Sequence, residues 1–571
     1  MQSMSAISPD GNAGRRVRDT ADAYVDQLAE LNPIVATSLG RPEGQDRLPD
    51  LSPAGEDAAA DLRAATLASL AAVEAGGPLA DPDERRCARL LRERLESEQA
   101  LHAADEHLRA MSNIFGPPQQ VRQAFLLMPT TTAADWATIG RRMAAVPGAL
   151  AGYRASLTEG ARRGLYAAPR QAQTLAVQLA DWQPSATGPG WFGGFAATAD
   201  VPAALRADLD RATASADAAV AELRDWLRAE YLPGAAGTPD GVGPDRYRTF
   251  VRRWLGASPD LTEAYEWGWA QYREIMTQMT AEAAKVLPGA SPREAMRHLD
   301  AHGQVIDGVD AIRKWLQDLM DTAMDQLDGT HFELADPVRV AQAMIAPPGS
   351  AAAPYYTGPS QDFSRPGRTW LPTMGQTTFP VWGLYSTWYH EGVPGHHMQI
   401  AQWTYLAGQL STYQTAVGFV SACAEGWALY AERLMDELGY LEPPGARMGY
   451  LDAQLMRAIR VIIDIGMHLG LTLPADSPMF AGETWTPELA LDFFDAHVGR
   501  GRDFLASEVV RYLGLPGQAI SYKLGERAWL AGRAAARAAR GAAFDLKSWH
   551  MAALSLGSLG LDDLADELAR L

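Results

Sequence analysis

A chain of 571 residues, 47% hydrophobic and 21% charged, is long enough to bury one large core or several ordinary ones and too apolar to stay disordered. Its formal net charge of −19, with no run of lysine or arginine, excludes the clustered cations on which nucleic-acid binding draws. Cys87 and Cys423 are the only cysteines, which excludes a disulfide framework and a four-thiolate zinc site. Any metal has to be held by histidine and carboxylate.

The chain begins with a polar tail over 1–16, MQSMSAISPDGNAGRR, which lacks the apolar centre of a secretory signal. No apolar stretch of eighteen residues follows, so the expected address is the cytoplasm, with no membrane partner. Apolar residues at helical spacing then predict helices from RVRDTADAYVDQLAELNP onward, over 54–75, 83–111, 134–158 and 199–231. Breakers such as FGPPQQ and QPSATGPGWFGG stand between them. From 258 to 328 the pattern stays helical, with Ser258 or Asp260 as a cap.

Residues 338–373 change texture. Proline, glycine and serine alternate with short β-compatible pieces, which predicts two to four short strands and the one plausible sheet. Helical periodicity resumes near Trp382 and continues through 411–438, 445–470, 486–499, 502–512 and 525–571. The expected fold is mainly α, in two helical halves, 17–330 and 331–571, that share one cleft.

Within that second half, YHEGVPGHHMQI at 389–400 places three of the eleven histidines beside a glutamate. Helical ligands four residues apart stand about 6 Å apart along the axis and share a face, close enough for one zinc. His390 is separated from His396 and His397 by six and seven residues, roughly 9 to 10.5 Å in an unbroken helix. Pro394 cannot donate to the carbonyl of His390, and Gly392 and Gly395 tolerate unusual dihedrals, so the helix has to break or bulge there. Two residues looped out of GVPG would restore the spacing between His390 and His396 and leave Glu391 beside the metal. His396 is the preferred second ligand and His397 the alternative; the histidine left over would turn to supporting hydrogen bonds or to substrate.

A third ligand is sought in SACAEGWALYAERL, where Glu425 sits among small residues that imply close packing, and a buried carboxylate there needs a partner. Glu432, two turns on, reads as a helix-surface salt bridge. The large rings of this region, Trp427 among them, read as core.

HEGVPGHHMQ at 390–399, EGWALYAE at 425–432, RVIIDIGMH at 460–468 and RYLGLPGQAISYKLG at 511–525 together resemble the domain of unknown function 885 family. That family looks like a distant relative of the helical, thermolysin-type zinc metallopeptidases, such as the thimet oligopeptidase and angiotensin-converting enzyme groups. The resemblance implies a helical fold with a deep cleft and a short sheet along its edge. It also implies one zinc ion, a glutamate base and a peptide substrate. His390, Glu391 and Glu425 match the first ligand, the base and the later-helix ligand, and Gly395-His396 resembles the Gly-His that closes the motif in several relatives. The departure from the relatives' pattern is the two-residue insertion.

The expected mechanism has zinc, held by His390, His396 and Glu425, activate a water whose proton Glu391 takes and passes to the leaving amine. Tyr522 is a candidate donor to the oxyanion or else a core aromatic, and His468 is a second candidate donor. Arg460, Asp464 and His468 share a helix face, as catalytic groups or as a structural ion-pair row. Arg511 either forks onto a substrate carboxylate or braces a helix. Tyr355 and Tyr356 either line the cleft where a peptide pairs with a sheet edge or pack the core. Hydrolysis of another amide or ester, or a scaffold with a degenerate site, are the rival functions.

Overall fold

The computed structural model describes residues 16–186, 188–346 and 353–571, so the tail expected over 1–16 lies outside the described residues except for Arg16. The fold is mainly α, with two small sheets among the described residues. None of the described helices is long and apolar enough to cross a membrane.

Contacts divide the chain into two compact units. One contains the described residues up to Pro78 together with Leu95–Val242 and Leu513–Leu515. Its centre is the helix Ala203–Trp226, which buries Leu209, Ala212, Ala216, Val220 and Leu223 at intervals of three and four. That stripe packs against the helices Ala133–Ala144, Val146–Arg162, Pro169–Asp181 and Trp191–Ala197. The helix expected over 134–158 is two helices, because Pro147 stands in the first turn of the second. The supposed breaker FGPPQQ opens the helix Pro117–Leu126: proline in a first turn lacks only an N–H that would have no intrahelical partner anyway.

The other unit contains Leu79–Arg94, Gly243–Tyr512 and Pro516–Leu571. Its centre is the helix Ala446–Leu469, buried on every face from Met448 to Met456. Along it lies the helix Leu261–Val286, capped by Asp260, whose carboxylate accepts from the N–H groups of Thr262 and Glu263. This packing puts the division at Val242, whereas the sequence pattern suggested 330.

Three strands fall inside the expected 338–373 window: β2 (Ala341–Ile345), β3 (Tyr355–Thr357) and β4 (Gly367–Leu371), in the order β2-β4-β3. β2 and β4 run parallel, while β3 and β4 run antiparallel. A second ribbon pairs β1 (Val305–Asp307) with β5 (Thr378–Pro380), antiparallel. The helical reading of 258–328 missed β1: three residues are too few for a period-two pattern, and the partner strand lies far along the chain. The Gln317 side chain caps the outer edge of β2, donating to Ala341 O at 3.0 Å and accepting from Ala343 N at 2.8 Å.

Candidate metal centre

The motif at 389–400 breaks as its glycines and proline require. One helix, Leu384–Glu391, ends at Gly392, and a second, His396–Tyr405, begins after Gly395. The Gly395 N–H donates to Tyr389 O at 2.9 Å, six residues back where a helix would reach four, so two residues are looped out. A Cβ at Gly395 would stand 1.9 Å from His390 O, and only glycine fits. The Val393–Pro394 peptide is cis. Trp427 holds the loop from outside: its indole N–H lies 3.0 Å from Pro394 O and 3.1 Å from Gly395 O. This fully buried ring therefore has a hydrogen-bonding task beyond the core role expected of it.

The break brings His390 and His396 together, with ring centroids 4.9 Å apart. Glu425, on the helix Ser421–Glu437, faces both: its Oε2 lies 3.3 Å from His390 Nε2 and 3.6 Å from His396 Nε2. One donor atom from each residue lies within 4.8 Å of the others, and among the described residues this is the one such group found. At zinc–ligand lengths of about 2.0–2.2 Å, the donor atoms of a tetrahedral site stand about 3.3–3.6 Å apart. Glu425 Oε2 is buried and, although close to two imidazoles, forms a hydrogen bond with neither. A buried carboxylate oxygen without a hydrogen bond, set between two ring nitrogens at these spacings, is a donor set of the kind zinc takes, so the residues fit the group.

The electrostatics agree. Burial works against a charged His390, but Glu425, Glu432 and Glu391 outweigh it and hold the ring up at about 9. Burial also opposes ionisation of Glu425, yet contacts with both imidazoles hold its carboxyl well below the usual range. Three carboxylates thus create a demand for positive charge at His390 Nε2, which a proton or a metal ion can meet. Glu391 lies 3.9 Å from that nitrogen, and burial, helped by Glu425, raises its carboxyl despite both imidazoles.

Glu432 corrects the surface reading given to it. Its side chain has no exposure, Oε1 lies 2.7 Å from His390 Nδ1, and Oε2 accepts from Ser386 Oγ. The carboxylate therefore accepts the hydrogen bond from Nδ1–H and leaves Nε2 as the nitrogen that faces Glu425, the atom that would face a metal. Seven residues, two turns, put Glu432 on the face of Glu425, and what the surface reading lacked was its burial against His390 and Ser386.

That face reaches the site because two helices meet backbone to backbone. A Cβ at Gly426 would lie 2.4 Å from Gly525 C, and one at Gly525 would lie 2.1 Å from Ala422 O. The contact brings Tyr522, on the helix Ser521–Arg540, over His390, with rings 6.4 Å apart and 19° from parallel. Burial, then the charge of Glu425, raises the phenol, which stays protonated and able to donate.

The structure gives most of the remaining candidates other partners. His397, fully buried, donates from Nε2 to Val338 O at 2.7 Å, and its Nδ1 accepts from the Tyr356 hydroxyl at 3.0 Å. It ties the chain before β2 to β3, and neither it nor Tyr356 is free for substrate; Tyr355 stacks on Trp370. Arg511 is a brace, with Nε and Nη2 donating to Glu508 and Nη1 to Gln518. Arg460 turns to the same Glu508 at 2.7 Å and to the Tyr512 hydroxyl at 2.8 Å, not to Asp464. Asp464 instead accepts from the Tyr247 hydroxyl and the Gly517 N–H, and burial raises it to about 7. His468, lowered by burial to about 4, donates to Tyr512 O. The expected ionic row is thus split, and His468 is held in a neutral network two turns beyond Arg460.

A mainly α fold that gathers two histidines and a glutamate around a broken helix defines the class of protein. The family model described as "Bacterial protein of unknown function (DUF885)" matches residues 33–568, and the chain belongs to that family. No curated protein matches the sequence. Among solved structures it is similar to "the putative lipoprotein from Colwellia psychrerythraea", with a TM-score of 0.83, 22% identity and 99% of each chain covered. It is also similar to "a putative lipoprotein of unknown function from Shewanella oneidensis", with a TM-score of 0.73, 17% identity, and 96% of this chain and 99% of that one covered. These titles overturn the cytoplasmic address expected above: the fold occurs in chains described as lipoproteins, and a polar opening segment does not assign a compartment.

Proposed function

We propose that the chain is a zinc-dependent metallopeptidase acting on short peptides, related at a distance to the helical thermolysin-type enzymes. The observation that carries this reading is the approach of Glu425 Oε2 to His390 Nε2 and His396 Nε2 at 3.3 and 3.6 Å, buried and without a hydrogen bond. His390, His396 and Glu425 would hold the ion, which when bound supplies a water of lowered pKa and polarises the scissile carbonyl. Glu391, its carboxyl raised by burial, takes the proton of the attacking water and delivers it to the leaving amine. Tyr522 donates its hydroxyl to the oxygen on which charge develops. Glu432 holds the Nδ1 proton of His390 throughout, which fixes the tautomer of that ring.

The test is metal analysis of protein purified without chelator, followed by digestion of a peptide library. The wild type should carry one zinc per chain, and the double His390→Ala, His396→Ala variant none. Glu391→Gln should keep its zinc and lose peptide cleavage. A wild type without metal, or an unchanged rate in Glu391→Gln, would overturn the reading.

A further inference from the structure

Two guanidinium groups beside this centre have donors with nothing to donate to. Arg457 and Arg460 stand three apart on the helix Ala446–Leu469 and flank the same ring, with Cζ atoms 6.0 and 4.6 Å from the Tyr522 centroid. Arg457 Nε and Arg460 Nη1 are both buried without a hydrogen-bond partner. Arg457 is tied only by Nη1, to Ala453 O at 3.2 Å; its Nη2 stands 3.8 Å from Glu432 Oε1, beyond hydrogen-bonding distance. Arg511, next in the cluster, shows the contrast, since its Nε and both Nη atoms donate.

The carboxylates within reach are already engaged. Three guanidinium groups share Glu508, which serves Arg460 and Arg511, and Glu432, which is already committed to His390 and Ser386. Buried guanidinium N–H groups without acceptors are costly, and a planar fork of this kind matches a carboxylate. The Arg457 side chain keeps 13% exposure, as Glu391 does, while His390 keeps 3%.

We propose that Arg457 and Arg460 form a carboxylate-receiving subsite beside Tyr522, so that the substrate class is peptides or acylated amino acids with a carboxylate close to the scissile bond. This rests on the hydrolytic reading for its purpose but not for its test. A carboxylate there accepts from Arg457 Nε and Arg460 Nη1 and places the adjoining amide toward Glu391 and the three ligands. The source is either a free C-terminal carboxylate or an acidic side chain.

The experiment is calorimetric binding to the full chain at measured metal content, with three probes: N-acetylleucine, N-acetylleucinamide and N-acetylglutamic acid α-amide. In Arg457→Gln the affinity for the carboxylate that fits should fall about tenfold or more, with the neutral amide unchanged and Arg457→Lys in between. Loss for N-acetylleucine alone identifies a C-terminal carboxylate, and loss for the glutamate probe alone an acidic side chain. If neither carboxylate binds better than the neutral amide, or if Arg457→Gln changes metal content and no selectivity, Arg457 only braces Glu432 and the subsite is overturned. Binding needs no turnover, so a chain that cleaves nothing yet shows the Arg457-dependent preference supports the subsite and counts only against hydrolysis.

Discussion

Replacing Glu432 by glutamine tests the site at a residue that touches no metal. The side chain is fully enclosed, with one oxygen 2.7 Å from His390 Nδ1 and the other on Ser386 Oγ. Glutamine preserves the shape and can still accept from Nδ1, but removes the charge that makes Nε2 a better donor to a metal. Loss of such a supporting carboxylate typically weakens metal affinity 10- to 100-fold, about 1.4–2.8 kcal/mol. The assay is competition for zinc against a chromogenic chelator at pH 7.5, with the folded fraction checked by circular dichroism. Affinity equal to wild type would refute the argument that Glu432 sets the tautomer and basicity of His390. A loss as complete as in His390→Ala would also refute it, by making Glu432 indispensable where it should only tune.

Trp427→Phe removes the N–H shared by Pro394 O and Gly395 O; with Pro394 O unpaired and Gly395 O left only the Gln399 N–H, stability should fall by about 1–3 kcal/mol and zinc affinity with it, read by urea unfolding with and without metal. Gly426→Ala forces a methyl against the backbone at Gly525 and should lower the melting temperature by about 1–3 degrees, since overpacking costs about 1–3 kcal/mol and a chain of 571 residues has a large unfolding entropy. His550, lowered by burial to about 3, donates from Nδ1 to His331 O and accepts at Nε2 from the Tyr430 hydroxyl, so it folds neutral. Its unfolded value is about 6.5, so its contribution is full above that pH and lost as pH falls from 6.5 toward 3, up to about 4–5 kcal/mol. His550→Gln should therefore flatten stability against pH between 6 and 4, and an unchanged slope would show that His550 takes up a proton in the folded state.

What the sequence made legible was local. The helical stripes, the strands in 338–373 and the break at Pro394 all follow from short-range constraint, as does the meeting of His390 with His396 once two residues loop out. Glu432 was not legible, because its burial depends on Ser386 and His390 arriving from a helix some forty residues earlier, while the pattern around it shows only a carboxylate beside Arg433. For His397 and Tyr356 the sequence left two readings open for a similar reason: the partners that decide for supporting hydrogen bonds lie on separate segments that sequence spacing does not relate. Arg511 could have been read better. Glu508 stands three residues before it on the same helix, the spacing at which a fork finds its carboxylate, and a bracing pair follows from that alone.

The block EGW shows how position along one helix turn becomes geometry at the site. Successive helical residues point about 100° apart, so Glu425, Gly426 and Trp427 face three different neighbours. Glu425 faces the two imidazoles, Gly426 the helix that carries Tyr522, and Trp427 the loop that separates His390 from His396. A rotation of this helix would move Glu425, loosen the loop that spaces His390 from His396 and shift the phenol above them together. Zinc affinity should therefore fall in Gly426→Ala and Trp427→Phe although neither residue can bind a metal. In the double variant the two losses should combine non-additively, because both act through the same rigid turn.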